Sequence, residues 1–158
     1  MRVAILTVSD SVAQSKREDR SGPAVRERCE KLGWTVSATR VVADEEAAIR
    51  NALSELSDSG KVDLILTAGG TGIGPRDVTP EATTAIASKL IPGLAELMRS
   101  TGQRSTPRAV LSRAVAAVRR QSLIVNLPGS PKGAVESLDA VADLLPHAVD
   151  VLHGARHD

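Results

Sequence analysis

The sequence predicts an α/β domain built on a mainly parallel sheet, and three observations carry that prediction. Strand-like and helix-like stretches alternate from Val3 to Leu90, as right-handed βαβ units require. The chain has no Phe, no Tyr and one Trp, so its interior falls to Val, Leu, Ile and Ala, the residues that fill parallel strands covered on both faces. At 158 residues, with 42% hydrophobic and 25% charged content, residues 1–158 read as a single domain large enough to bury a core.

Val3–Val8 reads as a buried strand ending at Ser9-Asp10, and the polar stretch Ser11–Ser21 as a mobile loop. Pro23 opens a helix with Val25, Cys29 and Leu32 on its inner face, capped by Gly33. Trp34–Val42 gives a second strand. Asp44 stands at an N-cap position before the stripe Ile49, Ala52, Leu53 and Leu56, which closes near Gly60. Val62–Leu66 is the third strand.

Thr79-Pro80 reads as an N-cap followed by proline at the first helical position, with Ala82, Ile86 and Leu90 continuing that helix to Pro92. A shorter helix follows with Leu94, Leu97 and Met98. Ala114–Val118 and Leu123–Leu127 are β-compatible and close enough to pair as an antiparallel edge hairpin. Ser130 then caps a helix with Pro131 at its first position; its stripe is Val135, Leu138, Ala142 and Leu145, broken at Pro146. A last short helix ends near Gly154.

The most informative stretch is Thr67–Pro80, where a strand empties into a loop with glycines at 69, 70, 72 and 74, a lone Asp77, and a helix start. Without a Cβ the backbone turns sharply and approaches a ligand closely, and successive N–H groups converge on an anion. The spacing is neither that of a Walker A loop nor that of the dinucleotide fingerprint. Parallel sheets bind ligands beyond the carboxyl ends of their strands. That rule brings Ser9-Asp10, Asp44, the Gly69–Asp77 loop and the Asn126–Ser130 corner to one edge. Asp44 and Asp77 together form a candidate Mg²⁺ pair, since magnesium takes one or two carboxylates plus phosphate oxygens. Each also has a plainer reading: Asp44 and Ser130 as helix caps, Asp77 as a turn former.

Charge and composition exclude some classes. Net charge is +1 and Trp34 is the one aromatic ring, which fits neither a nucleic-acid field nor a base-stacking platform. No run approaches the about 20 apolar residues of a membrane span, and the first strand is too short for a signal segment, so a cytoplasmic protein is expected. Cys29 is the single cysteine and reads as a buried thiol. His147, His153 and His157 read as surface residues without a metal-like partner set. All 19 acidic residues lie outside Arg99–Val135, where seven cations fall, among them Arg99, Arg108, Arg113 and Lys132. This is either a field for a phosphorylated ligand or a set of solvated side chains.

Several strings resemble those of the MogA/MoaB family of molybdenum-cofactor biosynthesis and the G domains of gephyrin and its plant counterpart. They are Gly69–Thr83, Leu111-Ser-Arg113, Ile124–Lys132, Ser9-Asp-Ser11, Asp19–Pro23 and Val42–Glu45. The resemblance implies a three-layer α/β/α fold, usually trimeric, that binds molybdopterin. It implies transfer of AMP from Mg-ATP to the terminal phosphate of molybdopterin with release of pyrophosphate; a non-catalytic carrier or scaffold of the MoaB type is the alternative. By position it marks Asp44 and Asp77 as the functional acidic pair. It marks Ser9, Asp10, Gly69, Gly70, Thr71, Gly72, Ser112, Asn126, Pro128, Gly129 and Ser130 as lining the nucleotide and pterin site. Ser130 stands where some relatives have Asn or Gln. With no second domain fused, a separate enzyme is expected to insert molybdate.

Overall fold

The computed structural model describes residues 1–156. Its elements are β1 (Arg2–Val8), α1 (Asp10–Ala13), α2 (Ser21–Lys31), β2 (Thr35–Val42), α3 (Glu46–Asp58), β3 (Leu64–Ala68) and α4 (Thr79–Ile86). These are followed by β4 (Lys89–Leu90), α5 (Pro92–Gly102), β5 (Ala116–Arg119), β6 (Ser122–Leu127), α6 (Pro131–Val141) and α7 (Leu145–Leu152). Short 3-10 turns cover Pro107–Leu111 and Ala142–Leu144.

The six strands form one sheet in the order β2-β1-β3-β6-β5-β4. The first four are mutually parallel, while β5 and β4 add antiparallel at one edge. The expected edge hairpin is therefore present as β5–β6, with Arg119 opposite Ser122 and Arg120 at φ 50° in the turn.

Alternate residues of the buried strands feed two cores, one on each face. Val3, Ile5, Leu64, Leu66, Leu123 and Val125 face α2, α5, α6 and α7, whose Val25, Cys29, Leu94, Met98, Leu138 and Leu145 complete the larger core. Ala4, Leu6, Val8, Ile65 and Ile124 meet Ile49, Leu53 and Leu56 of α3 and Ala82 of α4. Helices thus cover both faces, and the architecture is three-layer α/β/α.

Several boundaries differ from the sequence reading. The helix expected to run to Leu90 stops at Ile86, because Ser88 N–H and Ile91 N–H bond to the carbonyls of Val118 and Ala116 and draw Lys89–Leu90 into the sheet. Pairing with an existing edge outweighs helix propensity there. Of the expected C-terminal stripe, Leu138, Ala142 and Leu145 lie in the core while Val135 is only half-buried and Ala134 and Val141 take inward places, and the helix breaks at Ala142. Pro146 lies in the first turn of α7, where its missing N–H costs nothing. Helix α2 begins at Ser21, two residues before Pro23. The segment expected as a mobile loop contains α1 and is tied to the sheet through Thr7 Oγ1, which donates to Asp19 at 2.8 Å.

Cys29 is fully buried, and burial pushes its thiol up to about 12. His147 and His153 are exposed, with His153 Nε2 at 2.9 Å from the Gln121 carbonyl; His157 lies outside the described residues.

Candidate active site

The parallel register levels the ends of four strands: Val8 stands opposite Val42, Thr7 opposite Ala68, and Ala68 opposite Leu127. Ser9-Asp10, Asp44, the glycine loop and the Pro128–Ser130 corner consequently meet at one edge of the sheet. The contacts are close. A Cβ on Gly69 would lie 2.2 Å from the Val8 carbonyl oxygen, and one on Gly129 would lie 3.4 Å from Gly69 Cα. Gly69 and Gly70 have φ of +112° and +67°, so the loop leaves β3 through a conformation that favours glycine.

Two cavities open at this edge. The first, about 380 Å³, is lined by Ser9, Asp44, Gly69, Gly70, Asp77 and Gly129, together with Arg17, Asp19 and Arg20. The second, about 300 Å³, is lined by Thr71, Gly72, Arg99, Arg108, Ser112, Asn126 and Pro128. Ser130 borders both, and so does the glycine loop. Along that loop, the backbone N–H groups of Gly70, Thr71, Gly72 and Ile73 have no hydrogen-bond acceptor among the described residues. Consecutive free donors, of which those of Gly70, Thr71 and Gly72 border the two cavities, are what an anion-binding loop needs.

The acidic side is organised by reciprocal bonds. Asp10 N–H donates to Asp44 Oδ2 and Asp44 N–H donates to Asp10 Oδ1, both at 2.9 Å. Arg76 binds the Asp10 carboxylate through Nε at 3.0 Å and Nη2 at 3.1 Å. The Arg76 hydrogen bond, aided by the Asp44 amide, holds the Asp10 carboxyl below the usual carboxylate range. Asp44 moves the other way: burial raises it, and the charges of Asp10 and Asp77 add to that, against the stabilising Asp10 amide. Asp44 is not the helix cap the sequence suggested. Glu45 occupies that position without a side-chain bond, because the Asp44 carboxylate is turned to Asp10. Thr79, also expected as a cap, is the first residue of α4, and its hydroxyl donates to the Gly69 carbonyl at 2.9 Å. Ser130 does cap α6, accepting Gly133 N–H at 3.1 Å.

Asp77 accepts Gly74 N–H on Oδ2 at 2.9 Å, so it also closes the turn it sits in. Oδ1 of Asp44 and Oδ1 of Asp77 have no hydrogen-bond partner among the described residues. A Cβ on Gly70 would stand 3.2 Å from Asp44 Oδ1, and one on Gly72 would stand 2.8 Å from Asp77 Oδ2, so the glycines keep this side of the loop open around both carboxylates. No group of three or more His, Cys, Asp and Glu that could hold a metal occurs among the described residues. Two free carboxylate oxygens fit magnesium that arrives with phosphates and water as its other ligands, and do not fit a dedicated protein cage.

Some expected residues prove structural in their side chains. The Asn126 carboxamide, buried, donates to Thr67 and Thr83 hydroxyls at 3.0 and 3.1 Å and accepts Val115 N–H, although the residue borders the second cavity. Asp10 lines neither cavity and serves Asp44 and Arg76. Residues beyond the predicted set also shape the site. Arg76 has no sequence signal beyond its place in the loop. Arg99 Nη1 donates to the carbonyls of Ser112 and Ala114, and Arg108, exposed, has no ion-pair partner among the described residues. The acid-free segment holds both.

The chain matches the MoCF_biosynth family, described as "Probable molybdopterin binding domain", over residues 4–147. It is 40% identical over 156 residues to the molybdopterin adenylyltransferase of Helicobacter pylori J99, covering 98% of this chain and 89% of that protein. It is equally 40% identical to the Escherichia coli K12 molybdopterin adenylyltransferase over 162 residues, 98% of this chain and 79% of that one. Among solved structures, the molybdopterin biosynthesis enzyme MoaB of Thermus thermophilus superposes with a TM-score of 0.92 at 50% identity, covering 99% of both chains. Fold, loop and near-full-length likeness agree: the chain belongs to the MogA/MoaB family of molybdopterin-binding, molybdenum-cofactor biosynthesis proteins.

Proposed function

We propose that this chain is a molybdopterin adenylyltransferase, moving AMP from ATP to the terminal phosphate of molybdopterin. The observation that carries the reading is that one glycine loop with free amides borders two adjoining cavities, one lined by Asp19, Asp44 and Asp77 with Arg17 and Arg20, the other by Arg99 and Arg108 with Glu136. The carboxylate-bearing cavity takes the nucleotide, and the cavity with Arg108 and Ser112 takes the pterin, so the reacting phosphates meet at the Gly129–Ser130 corner. A pterin phosphate oxygen forms a bond to the α-phosphorus; the bond from that phosphorus to the bridging oxygen breaks, and its electron pair leaves with pyrophosphate. The attacking phosphate is already ionised at neutral pH, so no strong general base is required, and no histidine lines either cavity. The loop amides hold phosphate oxygens, and the rigid corner fixes the approach. Asp77 and Asp44 would hold Mg²⁺, which when bound neutralises phosphate charge.

The family likeness further supports a homotrimer in the cytoplasm that hands its product to a separate molybdate-inserting enzyme. No helix among the described residues is long and apolar enough to cross a membrane. The carrier reading draws on the likeness to MoaB.

The test is product formation from ATP, Mg²⁺ and molybdopterin under anaerobic conditions, comparing wild type with Asp77→Asn. Adenylylated pterin and pyrophosphate are expected from wild type, with the variant slowed about 100-fold or more. Tight pterin binding without product from wild type overturns the enzyme reading in favour of the carrier.

A further inference from the structure

Among the described residues, the hydrogen bonds that tie segment 72–77 of the glycine loop to the rest of the molecule come from two arginines. Arg76 reaches out to Asp10. Arg113 reaches in, and it touches the loop at both ends. Its backbone N–H donates to Thr71 O at 2.8 Å; its Nε donates to Gly72 O and its Nη2 to Asp77 O, both at 2.7 Å. Nη1 pairs with Glu81 in the first turn of α4, so the cation is neutralised by the helix that follows the loop. The segment carrying Arg113 is itself braced, because Arg99 holds the carbonyls on either side of it, Ser112 and Ala114.

We infer that Arg113 is the positioning residue of the site, fixing the Asp77 main chain and the free amides of Gly70–Gly72 in one frame. The kinetic consequence of this role rests on the adenylyl-transfer reading; the loop geometry does not. The task needs a planar fork. One guanidinium addresses two carbonyls and a carboxylate in three directions, whereas a lysine ammonium on a flexible stem is a point charge that satisfies one or two of them. Without the fork the loop stays attached to β3 and α4 but loses its inner brace, and amides that must meet a transition-state oxygen drift by fractions of an ångström. Misplacement on that scale is costly because catalysis here is positioning.

The experiment compares Arg113→Met, Arg113→Lys and Glu81→Gln with wild type by steady-state kinetics and by amide hydrogen exchange. Both Arg113 variants are expected to lose about 30-fold or more in kcat with KM for ATP and pterin moved less than about threefold, and lysine does not rescue. Glu81→Gln, which leaves both carbonyl bonds in place, loses less than about threefold. Exchange at the hydrogen-bonded loop amides of Gly74, Asp77 and Thr79 quickens about tenfold in Arg113→Met and Arg113→Lys while β1, β3 and β6 keep their protection. Rescue by lysine overturns the proposal, since charge alone then suffices; so does a loss confined to KM, which makes Arg113 a substrate contact. If wild type makes no adenylylated pterin, the functional reading fails by itself. Exchange still decides the role of Arg113, and unchanged loop exchange in both variants overturns it.

Discussion

Replacing Gly70 by alanine tests how tightly the carboxylate side of the glycine loop is built. Gly70 has φ +67°, a conformation that costs a residue with a Cβ about 1–2 kcal/mol. The added methyl would stand 2.3 Å from Thr79 Oγ1, a buried hydroxyl that donates to the Gly69 carbonyl. The hydroxyl must swing away, leaving that carbonyl without its partner, at about 1–3 kcal/mol. Gly70→Ala is therefore expected to destabilise the fold by about 2–5 kcal/mol, and Thr79→Ala, which deletes the same bond, by about 1–3 kcal/mol. The double variant loses the bond only once. Its cost should fall short of the sum by about 1–2 kcal/mol, although Thr79 Cβ remains 3.3 Å from the new methyl and asks for a small shift. Urea unfolding of the four proteins measures all three terms. Additive costs would refute the collision with Thr79 as the mechanism, and an unperturbed Gly70→Ala would refute the loop geometry itself.

Two further outcomes follow from titrating groups. Burial raises the Asp44 carboxyl, so the folded state binds that proton more tightly than the unfolded chain, and this site's contribution to stability falls as pH rises through the raised value. Asp44→Asn keeps a carbonyl oxygen for the Asp10 amide. It should be the more stable protein at neutral pH, by about 1–3 °C in Tm, with the difference closing toward about pH 4; calorimetry across that range checks it, and a lower Tm at neutral pH counts against the assignment. Cys29, with its thiol pushed up to about 12 by burial, should resist a disulfide reagent at pH 8 until urea unfolds the chain; rapid labelling of the folded protein contradicts the burial.

Much of the fold was legible because its signals are local. Aliphatic runs marked five of the six strands, and the glycine cluster marked the loop, since turn chemistry is written in neighbouring residues. The sixth strand, Lys89–Leu90, is two exposed residues with no periodicity of their own, and only the edge of β5 makes them a strand. Asp44 and Thr79 carried cap signatures yet spend their side chains on Asp10 and Gly69, one 34 residues away and one 10. A short polar side chain beside a helix start reads the same whether it bonds forward or across the sheet edge. The roles of Arg76 and Arg113 were invisible for the same reason: their partners lie 66, 41 and 36 residues away along the chain.

Strand β6 is the last in the sequence but sits inside the sheet, parallel to β3 and antiparallel to β5. A growing chain therefore holds β3 with one bare edge, a template for wrong partners, until residue 127 has emerged. The corner that separates the two cavities follows immediately, at residues 128–130. Closure of the sheet and completion of the two-cavity edge are then one late event in biogenesis, and nascent chains stalled before β6 should lack the candidate site and depend on chaperones.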